Sequence, residues 1–160
     1  MKNILYTIGL ALFCMLHAAA PAMEKPALIK MSGPHEITAH EQAFYAYAPD
    51  GMPIGKILFL MNPHTKVARI QLMKVDSRFR GLGIGHQLFK KCFKYVTIVG
   101  CSSIHWVAYP IDTIELNQLV TIYLKMIQKL HTNQSFEFTM HKTHDGFGID
   151  CFAMQLKIRK

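Results

Sequence analysis

The order of apolar patterns predicts an α/β chain of the α+β kind, a strand-rich domain with helices packed on it. From residue 44 the patterns run strand, strand, strand, glycine turn, helix, strand, helix, strand, strand. Three observations carry this order. Residues 67–75 alternate in the manner of a strand. The run Arg80-Gly81-Leu82-Gly83-Ile84-Gly85 follows at once, with glycines at alternate positions. Apolar residues then recur at helical spacing from Ile84 and again from Leu116.

The chain has 160 residues, which predicts one domain. Half of them are apolar and no segment is of low complexity, so the composition predicts a packed core. Formal charge is +8. That balance suits nucleic acid, an anionic surface or a phosphorylated ligand. No block of more than two adjacent Lys/Arg occurs, so no nucleic-acid-binding arm is expected.

Residues 1–22 read as a secretory signal peptide. Lys2 is basic, Ile4 to Leu16 is apolar, and Ala20-Pro21-Ala22 offers a small-residue cleavage site. The apolar stretch is shorter than the ~20 residues of a spanning helix. Leu12-Phe13 before Cys14 does not suit a lipoprotein signal. Cleavage after Ala22 removes one positive charge, Lys2, taking +8 to +7. The expectation is a domain over 23–160 that is exported to the periplasm or medium. The alternative is a membrane anchor left uncleaved, and a mature N-terminus at Met23 would exclude it.

Ala27 to Met31 predicts a first strand, broken by Ser32-Gly33-Pro34. Phe44–Ala48 and Ile54–Met61 predict strands on either side of the turn Pro49-Asp50-Gly51. In Val67–Val75 the apolar phase slips: Ala68, Ile70 and Leu72 share one face, then Met73 and Val75 take over. A β-bulge produces such a slip; a strand buried on both faces also loses alternation. The helix from Ile84 to about Tyr95 places Ile84, Leu88, Phe89, Cys92, Phe93 and Val96 on one face. Lys90, Lys91 and Lys94 lie on the same helix, to attract phosphate or to solvate it. Gly100 ends the segment, and Ile104–Tyr109 is a strand stopped by Pro110. Asp112 and Glu115 resemble a capping box, before Leu116, Leu119, Val120, Tyr123, Ile127 and Leu130 at helical spacing. Phe136, Phe138 and Met140 alternate in one strand; a loop follows over 143–150; Phe152 to Ile158 alternate in the last.

The turn at 80–85 is the most informative stretch. Glycines let a backbone approach a ligand closely, and a helix start offers unpaired N–H groups. Together they form an anion site. A dinucleotide-binding fingerprint does not fit, because the required third glycine is Leu88 counted from Gly83 and His86 counted from Gly81.

R-x-x-G-x-G within Val75-Asp76-Ser77-Arg78-Phe79-Arg80-Gly81-Leu82-Gly83-Ile84-Gly85 resembles the pyrophosphate loop of the GNAT superfamily of N-acetyltransferases, and the element order over 44–158 is similar to that family. The resemblance implies a GNAT-like mixed, mostly antiparallel twisted sheet with a splayed central parallel pair and flanking helices. It implies acetyl-CoA as co-substrate and an amine acceptor, small molecule or protein. Arg80, Gly81, Leu82, Gly83, Ile84 and Gly85 would hold the pyrophosphate. The bulged strand, through Met73, Lys74 and Val75, would pair with the acetyl-pantetheine arm. Tyr123, in Ile122-Tyr123-Leu124-Lys125, resembles the family's catalytic acid, although Ile127-Gln128 stand where Gly-Phe is usual. A core tyrosine is the plain alternative. The family's two helices between strands one and two do not fit the roughly ten residues present, so the acceptor site is reduced or built elsewhere.

Transfer to an amine also needs a base. Glu41, His105, Asp112 and Glu115 are open choices. His141, His144 and Asp145 have weak metal-ligand spacing, with no third cluster, and no metal is expected. Cys92, Cys101 and Cys151 cannot all pair with one another. The expected function is transfer of acetyl from acetyl-CoA to an amine. The alternative is an exported protein that keeps the fold for binding alone, since acetyl-CoA is made inside the cell.

Overall fold

The computed structural model describes residues 29–109, 115–130 and 135–159. The segment read as a signal peptide lies outside them, and so does Asp112. The strands are β1 (Lys30–Glu36), β2 (Glu41–Tyr47), β3 (Pro53–Asn62), β4 (Val67–Val75), β5 (Ser103–Ala108), β6 (Phe136–His144) and β7 (Asp150–Ile158). The helices are α1 (Ile84–Ile98) and α2 (Leu116–Gln128). One seven-stranded sheet has the order β1-β2-β3-β4-β5-β7-β6. Every neighbouring pair is antiparallel except β4–β5, which is parallel.

α1 buries Ile84, Leu88, Phe89, Cys92, Phe93 and Val96, the face that the spacing predicts. Each such side chain contributes about 1.5–3 kcal/mol on leaving water. α2 buries Tyr123, whose ring lies 5.6 Å from that of Trp106, and Phe89 of α1 meets the same indole at 5.5 Å. Both helices therefore cover one face of the sheet. Among the described residues no helix covers the other face. Residues 37–40 are all that separate β1 from β2, so no helix lies between them.

Gly55 on β3 sets the seat of α1. A Cβ there would lie 3.2 Å from both Ile84 Cγ2 and Leu88 Cδ1. Its absence lets the first turn of α1 settle against β3 opposite Val75.

Several expectations change. Ser32-Gly33-Pro34 do not end β1; the strand continues with a register shift between Ser32 and His35. α1 runs on to Ile98, because packing of Val96 outweighs the strand preference of its β-branched end. α2 begins at Leu116, with Glu115 as N-cap and no side-chain cap bond. β6 extends to His144, where it pairs with Asp150 of β7, and Met140 is 38% exposed.

Candidate active site

The phase slip in β4 is a bulge. Leu58 pairs with Leu72 and Phe59 with Ile70, so Gln71 is the extra residue. Leu72 is consequently turned outward, 38% exposed, and does not share the face of Ala68 and Ile70. The bulge coincides with a split in the sheet. β4 and β5 pair only at Val67–Ser103, Ala68–Ile104 and Arg69–His105. Beyond that row the edge of β4 through Met73, Lys74 and Val75 has no partner on the β5 side, while β3 holds its other edge. Unpaired strand edges accept an extended ligand by backbone hydrogen bonds.

The glycine turn stands at the open end of this split. Asp76 fixes its start. The Asp76 N–H donates to the Ile54 carbonyl at 2.9 Å. Its carboxylate accepts from the Arg78 N–H at 3.0 Å and from the Arg78 guanidinium at 3.1 and 3.0 Å. Those hydrogen bonds hold the Asp76 pKa down at about 2. Gly81 (φ 82°) and Gly83 (φ 76°) adopt left-handed backbone, which side chains disfavour. Gly83 is the N-cap of α1. The N–H groups of Leu82, Gly83, Ile84 and Gly85 find no acceptor among the described residues. Arg80 donates from Nε to the Val75 carbonyl at 3.3 Å. It lines a cleft over β3 and β4 with Lys56, Lys74 and Asp76, so three cations and one carboxylate gather beside the start of the turn. Lys90, Lys91 and Lys94 are exposed on α1.

A cleft of about 570 Å³ opens where the split begins and extends over β5, β7 and β6. Its lining includes Ile70, Gln71, His105, Trp106 and His141. The indole Nε1 of Trp106 is buried there with no acceptor among the described residues. A buried donor without a partner is costly, and a ligand acceptor in the cleft would relieve it. Tyr123 packs behind Trp106; burial pushes its pKa up to about 12 and keeps the phenol protonated.

Of the three described base candidates, His105 lines the split. Its Nε2 lies 3.1 Å from Ser103 Oγ. Burial, helped by the charge of Arg69, pushes its pKa down and keeps the imidazole neutral. Glu115 caps α2, and Glu41 opens β2; neither lines this cleft. His144 is paired with Asp150 at 2.7 Å, and Asp145 accepts from the N–H groups of Phe147 and Ile149, both at 2.9 Å. Those bonds occupy His144 and Asp145, while His141 lines the cleft. Among the described residues no three His, Cys, Asp or Glu gather to hold a metal ion. Cys92, Cys101 and Cys151 are free thiols. No helix among the described residues is long and apolar enough to cross a membrane.

The model of the acetyltransferase (GNAT) family matches residues 14–117, more than half of the chain. The chain belongs to the GNAT acetyltransferase family. It is thereby grouped with enzymes whose co-substrate is acetyl-CoA. Its fold is similar to that of a nourseothricin acetyltransferase, with TM-score 0.57 and 16% identity over 76% of this chain and 67% of that one. A variant of the Vibrio cholerae spermidine N-acetyltransferase gives TM-score 0.57 and 18% identity, covering 74% of this chain and 65% of that chain. A Bacillus anthracis protein assigned as a streptothricin acetyltransferase, in complex with acetyl coenzyme A, gives TM-score 0.54 and 16% identity over 78% and 65%. This GNAT chain spans about two thirds of the length of these neighbours, and at such identity they establish the fold alone. No curated protein matches it.

The sequence missed Trp106. It read the residue as one more apolar position of a strand; the structure puts Trp106 in the cleft lining, with an indole N–H that is buried and has no acceptor among the described residues. It also left the base open, because strand register alone brings His105 beside the bulge.

Proposed function

We propose that this GNAT chain binds acetyl-CoA in the β4–β5 split and transfers the acetyl group to an amine by direct attack on the thioester. The observation that carries the reading is the split itself, ending at a turn whose N–H groups from Leu82 to Gly85 lack acceptors among the described residues. In this reading the turn Arg80–Gly85 and Lys74 take the diphosphate at a helix start. The free edge of Met73–Val75 takes the pantetheine amides and offers N–H groups to the carbonyl oxygen as charge develops on it. His105, directly or through a water, accepts the proton that the amine loses as its nitrogen bonds to the carbonyl carbon. As the C–S bond breaks, the Tyr123 hydroxyl gives its proton to the departing thiolate. Trp106 Nε1 donates to the ligand in the cleft.

Titration calorimetry of acetyl-CoA and CoA into the purified protein tests this. Saturable binding of both is expected, and a folded protein that binds neither would end the proposal. Tyr123→Phe is expected to lower turnover by about 10²-fold or more with little change in CoA affinity; unchanged turnover would return the residue to the core.

The same variant separates a stability effect. Below pH 10 both folded and unfolded tyrosine are protonated, so nothing changes. Between the ordinary value of 10.0 and about 12 the unfolded chain loses the proton and the folded one keeps it. Stability should therefore fall with rising pH in that window, by at most about 1.4 kcal/mol per pH unit, and Tyr123→Phe should lack this component in urea titrations. For His105, whose pKa is depressed, the acid limb of kcat/KM should lie below the ordinary histidine value of 6.5 and vanish in His105→Gln. A limb that survives that change would assign the base elsewhere.

A further inference from the structure

A second cleft, about 650 Å³, lies on the helix-free face of the sheet and adjoins the split. The two clefts share two lining residues, Arg69 and His105. These form the last paired row of β4 and β5, where the sheet begins to open. Ala68, Ile70, Ile104 and Trp106 are buried beneath the helices, so strand alternation directs Arg69 and His105 to the opposite face. A coenzyme entering from the glycine turn would run toward this row. An acceptor must reach the same row from the other side, and the second cleft is the space there.

The walls of that cleft have a definite chemistry. His40 and His64 stand with Arg69 and His105, and no Asp or Glu lines it among the described residues. The side chains are positioned by backbone. The Met61 N–H donates to the His40 carbonyl at 2.9 Å, which ties the β1–β2 connection to the end of β3. Asn62 Oδ1 accepts from the N–H groups of His64 and Thr65, at 2.9 and 3.0 Å, and so shapes the turn that carries His64. Arg69 has no carboxylate partner among the described residues. An unpaired guanidinium presents a planar fork suited to carboxylate or phosphate. A polycationic amine would meet like charge here with nothing to offset it.

We infer that the acceptor is a primary amine carrying its own carboxylate or phosphate group, held by Arg69 with His40 and His64 while the amine faces the split beside His105. This rests on the proposed acetyl-CoA reading and names the acceptor class for the same site. It departs from a polyamine such as spermidine.

The test uses the full chain saturated with CoA and two matched pairs, glucosamine against glucosamine 6-phosphate and phenethylamine against phenylalanine, with spermidine alongside. Binding is measured by calorimetry at low salt, and acetylation by thiol release from acetyl-CoA. The anionic member of at least one pair should bind about tenfold more tightly than its neutral partner, the scale of a charge-assisted Arg contact. The pair that shows the preference tells phosphate from carboxylate. In Arg69→Gln the ratio within that pair should fall to within about threefold. No preference in either pair, a preference untouched by Arg69→Gln, or tighter binding of spermidine would overturn the inference while leaving the coenzyme site standing. Failure of CoA to bind would overturn both, and the calorimetry distinguishes the two cases.

Discussion

An Arg80→Glu variant is expected to lose CoA affinity by about tenfold or more, while its melting temperature stays close to that of the parent. Arg80 opens the glycine turn and lines a cleft with Lys56 and Lys74. Reversing its charge places a carboxylate where the proposed diphosphate lies. A pair of unit charges about 4 Å apart near a protein surface interacts by roughly 1–4 kcal/mol, enough for that loss. The residue is exposed, so the fold should lose only about 0.5 kcal/mol, the scale of a surface substitution. Calorimetry and thermal melting on the same preparation check both halves. Unchanged CoA affinity in a folded variant would remove phosphate from this turn and with it the main support for the coenzyme reading.

A Phe89→Ala variant should show the largest stability loss, about 3–5 kcal/mol. Phe89 is fully buried on α1, and its ring packs edge-on against Trp106. Removal leaves a cavity between α1 and β5 that neighbouring side chains cannot fill without shifting the strand that borders the split. Against a total stability of about 5–15 kcal/mol, such a loss brings the domain near the edge of unfolding. Phe89→Leu keeps most of the volume and should cost about 1.5 kcal/mol or less. Urea denaturation of both measures the difference. A loss below about 1 kcal/mol for the alanine variant would mean that the α1–β5 packing is not as described.

Local chemistry made much of this legible. The six buried residues of α1 are those at helical spacing, because a helix laid on a sheet buries one stripe regardless of what lies beneath it. The bulge in β4 showed as a slip in apolar phase, since an extra residue reverses which side chains face the core. It lies at Gln71, one position before the slip as read, because the run Leu72-Met73 offers two apolar residues and the sequence does not say which one turns out. The end of α1 and the length of β6 were not legible. At Val96-Thr97-Ile98 the local preference is for strand, and only the pocket that receives Val96 favours helix. At His141–His144 the strand exists because β7 lies beside it.

The glycine turn was determined by the sequence itself, because left-handed backbone at Gly81 and Gly83 and the uncapped start of α1 are local properties of those residues. The proposed base and the proposed acceptor cleft depend on tertiary structure. Arg69 and His105 lie 36 residues apart and meet only through the parallel pairing of β4 with β5. That pairing stops after the row they form, and so puts two unremarkable polar positions where the proposed coenzyme and acceptor would meet.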